Sequence, residues 1–286
     1  MKWLKALLLP IILAGCNHSE NTTPTTQTRA GIYYGYYGDC GNDGNCYPKI
    51  NHGNLMWVPA WGDDSTPEGR LATTNYQLNS MRQGIASGIP QAILFTNHVM
   101  FRNRQYMGTK QDIRDYLNTV RTSGLLGNVK GFYPLDEPDI NLNNPTDVSQ
   151  AYKDLREVMG EYPELAVAVI AVIYPAETTY PGIAYVDWVG LDDYFAKSDV
   201  LVDRYPDMLS KMSPQQRLIV VPGGSSPWMQ DPAPFYNYAI QNDRVAAIVA
   251  FAYITAEAKY IGIGYNGMLP TYCKYGNLIT NKNAGC

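Results

Sequence analysis

Short apolar runs recur along this chain, separated by polar, glycine- and proline-rich intervals and by segments whose apolar positions repeat at helical spacing. The runs read as strands. In order they are GIYYGYYG from Gly31, NLMWVPAWG through Trp61, QAILFTNHV, NVKGFYPLDEPDI (128–140), LAVAVIAVIY (165–174), VDWVGLDDYF from Val186, RLIVVPGGSS (217–226) and VAAIVAFAYI (245–254). The intervening segments predict helices over 74–87, with Tyr76, Met81 and Ile85 inward, and over 109–122, with Ile113, Leu117 and Val120 inward. Further helices are expected over 147–160, over 200–212, and in a short stretch ending near Arg244. Pro175, Pro181 and Gly182 leave little room for one after the fifth strand, and the tail from Tyr260 reads as irregular. Eight strands alternating with helices predict a single-domain α/β fold, a (β/α)8 TIM barrel. An open doubly wound sheet is the alternative. No glycine-rich phosphate fingerprint follows the first strand to favour it.

In a barrel the carboxyl ends of all strands face one site. Those ends carry Asp39, then Trp61 with Asp63 and Asp64, then His98. Next come Asp136 and Glu137, Tyr174 and Glu177, Asp192 with Asp193 and Tyr194, Ser225 and Trp228, and lastly Tyr253 and Glu257. An acidic, aromatic rim suits sugar rings, whose apolar faces stack on aromatics while carboxylates act on the acetal. Glycosidic cleavage needs one carboxylic acid to protonate the leaving oxygen and a second carboxylate to attack or to activate water. Glu137 is the candidate acid, with Asp136 orienting it or raising its pKa. Asp192 and Asp193 are alternative partners: Val189 and Leu191 are expected to face the helices, which sends Gly190, Asp192 and Tyr194 inward. Glu257 and Asp64 are weaker candidates for the second carboxylate, and Trp61, Asp64, Tyr194, Trp228, Tyr253 and Glu257 for substrate binding.

The motif GFYPLDEP resembles the fourth-strand segment of barrel glycoside hydrolases, in particular the large clan in which that strand ends in Asn-Glu-Pro. The resemblance implies that Glu137 is the acid/base, that Asp136 stands where the substrate-binding asparagine stands, and that Pro138 ends the strand. The chain departs from the clan at strand seven, where a nucleophilic glutamate is expected and RLIVVPGGSSPW has no acid. The second carboxylate then comes from another strand, or a neighbouring acetamido group of the substrate serves as nucleophile, or the barrel keeps a sugar groove without turnover.

The chain of 286 residues, 45% hydrophobic, is long enough for one barrel. MKWLKALLLPIILAGC combines a basic start, an apolar stretch and small residues before Cys16, the pattern of an export signal. Its ending LAGC resembles the bacterial lipobox, which implies cleavage before Cys16 and lipidation of that residue. Residues 1–15 are therefore expected to be a lipoprotein signal peptide, 16–30 a lipidated flexible tether, and 31–286 the barrel. Asn17 after the cysteine implies outer-membrane sorting where the host has an outer membrane. Loss of Lys2 and Lys5 with the signal would leave 20 basic against 26 acidic residues, a formal charge of -6, which argues against a nucleic-acid groove.

Four cysteines remain, and short loops favour pairing Cys40 with Cys46 and Cys273 with Cys286 as disulfides. Their spacing is poor for zinc, and GIGYNG lacks the ending of a phosphate loop, so no cofactor or structural metal is expected. Three functions fit: an exported glycosidase acting on oligo- or polysaccharide of the cell envelope, a non-catalytic carbohydrate-binding or surface interaction lipoprotein, and a metal-assisted hydrolase using Asp39, Asp63, Asp136 or Asp192. The sequence carries no indication of oligomeric state.

Overall fold

Each apolar run becomes one strand of a closed parallel barrel in the computed structural model, which describes residues 31–37, 40, 44–60, 62, 64–138, 144–165, 167–173, 183–192, 200–253 and 261–286. The strands are β1 (Tyr33–Tyr37), β2 (Leu55–Val58), β3 (Gln91–Phe95), β4 (Val129–Tyr133), β5 (Ala168–Ile173), β6 (Trp188–Leu191), β7 (Arg217–Val220) and β8 (Val245–Phe251). Each pairs with its sequence neighbours, and β8 closes on β1 through the register Tyr33 to Ala247 up to Tyr37 to Phe251. All six residues of β5 are buried, which is why its sequence is apolar throughout: one face packs on helices and the other fills the barrel.

Two apolar clusters follow from the strand period of two. Leu55, Trp57, Ile93, Tyr133, Ile170 and Ile219 fill the interior, whereas Tyr34, Tyr36, Met56, Leu94, Val189 and Leu191 face the helices. Val189 and Leu191 thus face the helices as expected of the sixth strand, and Gly190 faces inward against Val172 and Ile219. Gly35, in the middle of β1, has a packing reason: a Cβ there would stand 2.1 Å from the Leu55 carbonyl oxygen.

The outer layer contains α1 (Pro67–Ala86), α2 (Lys110–Thr122), α3 (Pro145–Met159), α4 (Tyr205–Lys211), α5 (Pro232–Gln241) and α6 (Leu269–Thr280). Helix α1 starts earlier than periodicity predicts. Its first turn is solvent-exposed and shows no apolar stripe, and the start is set by Thr66, whose hydroxyl accepts from the Gly69 amide at 3.0 Å, with Pro67 following. A capping box of Thr109 and Asp112 begins α2.

The expectation of an irregular tail is corrected by α6. Tyr272, Cys273, Tyr275, Gly276 and Ile279 form its buried stripe. Gly276 is small because a Cβ there would meet His52 Cδ2 at 2.5 Å and Tyr34 Cε1 at 2.8 Å. Beyond the helix, Lys282 Nζ donates to the carbonyls of Asn51 at 2.7 Å, Gly53 at 2.5 Å and Gly88 at 2.7 Å, binding the tail to the loops that lead into β2 and β3. Disulfides join Cys40 to Cys46 and Cys273 to Cys286, the pairing that short loops favour.

Candidate functional site

The inward side chains nearest the carboxyl ends of β1, β2, β3, β4 and β8 are aromatic. Tyr37 ends β1, Trp57 lies on β2, Phe95 ends β3, Tyr133 ends β4 and Phe251 ends β8. Their rings form one connected layer. Trp57 meets Tyr133 edge-on at 4.7 Å, Phe95 stacks on Tyr133 at 4.8 Å, and Tyr37 lies 5.3 Å from both Trp57 and Phe251. Trp228, from the loop after β7, packs against the same interior cluster. The layer closes the barrel interior beneath its mouth and gives the mouth an apolar floor.

Asp136 stands on this floor. Beyond the end of β4 the backbone runs on beside β5, and Asp136 makes a parallel bridge with Val172. The Tyr133 hydroxyl donates to Asp136 Oδ1 at 2.6 Å, and the Tyr37 hydroxyl bonds to the same carboxyl. Burial raises the Asp136 pKa above the ordinary carboxylate range, and the two tyrosines pull it partly back. An acidic group held between donors and short of water can keep or release a proton at a fixed place.

The next residue, Glu137, is half-buried and has φ of +40°, in the left-handed region that a non-glycine residue seldom occupies. Strand alternation has ended by this point, so the constraint that sends adjacent side chains to opposite faces no longer applies. Unusual backbone of this kind concentrates where a side chain must be aimed for function.

Asp192 follows β6 and is buried, 7% exposed, with its amide bonded to the Ile173 carbonyl at 3.0 Å. Val172 is paired with Gly190, so Asp136 and Asp192 flank β5. Two strand spacings separate their backbones, about 10 Å. At the end of β7 the chain reads Val221, Pro222, Gly223, Gly224, Ser225, with no carboxylate, and Ser225 Oγ accepts from the Ala252 amide at 3.0 Å.

The other expected site residues fall differently. Asp64 lines a cleft at the barrel rim. Tyr253 is buried on the helix side of the wall, 5.8 Å from Tyr36 and edge-on to it, and is not part of the aromatic floor. His98 also turns to the helix side, where Thr74 Oγ1 lies 3.1 Å from its Nε2 and Tyr116 packs edge-on. Cys16, Asp39, Trp61, Asp63, Tyr174, Glu177, Asp193, Tyr194 and Glu257 lie outside the described residues. Sequence reasoning missed Tyr37, Trp57 and Tyr133. The signal was present: strand parity places all three inward, at a strand's carboxyl end or one residue before it. Among the described residues, no three His, Cys, Asp or Glu side chains gather closely enough to hold a metal ion.

No family model matches this chain, and no curated protein does. Solved structures do. The chain superposes on PbGH5A, a glycoside hydrolase family 5 enzyme from Prevotella bryantii B14, with a TM-score of 0.55 at 10% identity, covering 87% of this chain and 96% of that one. Gas2p of Saccharomyces cerevisiae in complex with laminaripentaose gives a TM-score of 0.52 at 14% identity, over 80% of this chain and 56% of the yeast protein. This chain thus spans little more than half the length of that structure. At such identities the likeness is one of fold, and the closed (β/α)8 barrel described above is the fold it shares with both.

Proposed function

We propose that the chain is a glycoside hydrolase that cleaves oligo- or polysaccharide bonds by carboxylate acid/base catalysis. The observation that carries this is the pair Asp136–Glu137, set above an aromatic floor at the carboxyl end of β4, with Asp192 on the far side of β5. Glu137 protonates the leaving oxygen, Asp136 fixes and tunes the site through Tyr133 and Tyr37, and Asp192 serves as second carboxylate, with Asp193 as the adjacent choice. With the backbones of Asp136 and Asp192 about 10 Å apart, the neighbouring Glu137 and Asp192 have room to flank a glycosidic bond. Likeness of fold to a family 5 glycoside hydrolase supports the reading without assigning a substrate.

Soluble protein beginning after Cys16, incubated with a panel of envelope and plant-type polysaccharides, should release new reducing ends from at least one of them. Binding to the panel with no release would favour the second reading, a carbohydrate-binding lipoprotein. That reading has its own support in the end of β7, where Ser225 is engaged with the Ala252 amide and no acid stands.

The proposal extends to location: an exported lipoprotein anchored through Cys16 to the outer membrane and acting on envelope polysaccharide. Radiolabelled palmitate fed to the producing bacterium should be incorporated into the intact chain. A Cys16→Ser variant that still took up label would refute the anchor.

A further inference from the structure

After β3 the chain makes one helical turn (Asn97–Met100) and then a small antiparallel hairpin, Phe101–Arg102 paired with Gln105–Tyr106. The hairpin is fixed to α3: the Tyr106 amide donates to Asp147 Oδ2 at 3.2 Å and its hydroxyl to Asp154 Oδ2 at 2.8 Å. Its two turn residues, Asn103 and Arg104, have φ of +51° and +60°. A two-residue hairpin turn with both φ values positive favours Asn followed by Gly. Asn103 satisfies the first preference, but the second position holds an arginine where glycine would be easiest. Local rules of this kind are broken at functional or strained sites.

Arg102, Asn103 and Arg104 line a cleft of about 240 Å³ together with Asp64, Asn97 and Leu135. Leu135 is the residue before Asp136, so one wall of this cleft is next in the chain to the proposed catalytic carboxylates. Arg102 Nε and Nη2, which form one edge of the guanidinium, are buried with no hydrogen-bond partner, as is Asn97 Oδ1. Neither Arg102 nor Arg104 forms an ion pair among the described residues, in a chain whose acids outnumber its bases. Two buried guanidinium nitrogens left without a hydrogen-bond partner cost stability that the described residues do not recover. An anion lodged in the cleft supplies what is missing, and arginine's planar fork suits carboxylate and sulfate oxygens.

We propose that this cleft is an anion subsite, and that the glycan taken by the barrel is acidic, carrying a uronate carboxylate or a sulfate ester one or more sugar units from the bond at Glu137. The inference rests on the carbohydrate-acting reading above and narrows its substrate class. No part of the two-carboxylate chemistry requires the hairpin.

The test is calorimetric binding of the folded chain to three probes: a galacturonate oligomer, a sulfated galactan oligomer and a neutral laminari-oligosaccharide of equal length. Arg104→Gly and Arg102→Gln variants are run alongside. Glycine suits the φ of residue 104, so the first variant should keep or raise the Tm while removing the charge. Expected is at least ten-fold tighter binding of one acidic probe than of the neutral one, a preference weakened by salt and cut several-fold by either substitution. Whichever acidic probe binds identifies the group. Equal binding of acidic and neutral probes would overturn the subsite and leave the glycosidase reading intact. Acidic binding that depends on Arg102 and Arg104 but brings no turnover would support the subsite and count against hydrolysis. Binding of none of the three overturns the subsite as well.

Discussion

Glu137→Gln is expected to lower turnover of an unactivated glycan by about 10²–10⁴-fold, the range that loss of a positioned general acid produces. The amide is nearly isosteric with the carboxylic acid, so the backbone at φ of +40° is unaltered and binding should persist. Aryl glycosides supply the diagnostic. A dinitrophenolate leaves without needing a proton, so the variant should recover much of its cleavage rate on that substrate while remaining slow on the natural linkage. Asp136→Asn should behave differently, because Asp136 is held by Tyr133 and Tyr37 and acts on the reaction through its neighbour. Its rate loss should be smaller and should appear on both kinds of substrate, together with a displaced acid limb of the pH–rate profile. Wild-type rates in Glu137→Gln would remove the acid from β4. A loss confined to Asp136→Asn, with leaving-group dependence, would transfer the acid role to Asp136.

Two physical signals made the fold legible. Parallel barrel strands are buried on both faces, so β5 and β8 stand out as continuous apolar runs. Where a strand is mixed, parity works: Val189 and Leu191 lie outward and Gly190 packs against Val172 and Ile219. Helix α6 was hidden because its buried stripe is built from tyrosine, cysteine and glycine, residues of modest helix propensity, and its partners are the outward tyrosines of β1. The site was legible only in part. Paired acids before a proline announce a strand end, but a rim position alone does not say which way a side chain turns. Tyr253 and His98 were both placed at the rim by their position in the chain, and both turn to the helix layer, where burial among tyrosines competes successfully with exposure in the mouth. The aromatic floor required applying parity to Tyr37, Trp57 and Tyr133 as well as to the strand ends.

Unfolding free energy should fall by about 4 kcal/mol between pH 7 and pH 5, as a consequence of two buried histidines. His52 is enclosed by Tyr34 and Tyr36, whose hydroxyl lies 2.5 Å from Nε2, and burial, with Lys282 nearby, lowers its pKa to about 4. His98 lies between α1 and α2; burial first, then the Arg70 charge, lowers its pKa to about 3 against a weaker opposing bond to Phe95. The unfolded chain takes up protons at these sites near pH 6.5. Below that point the unfolded state binds more protons than the native state, so the stability these neutral rings contribute is fully present above pH 6.5 and is lost as pH falls toward their native values. Each histidine contributes about 2 kcal/mol over the interval. Asp136 acts in the opposite sense, since its raised pKa lets the native state take up a proton first, but it does so nearer the carboxylate range. Urea unfolding at the two pH values measures the slope, and the double variant His52→Gln, His98→Gln should flatten it whatever its absolute stability. A wild-type protein equally stable at pH 5 and pH 7 would mean that both rings can be protonated in place. The tyrosine-lined packing of α1, α2 and α6 against the barrel would then be far more open to water than these contacts require.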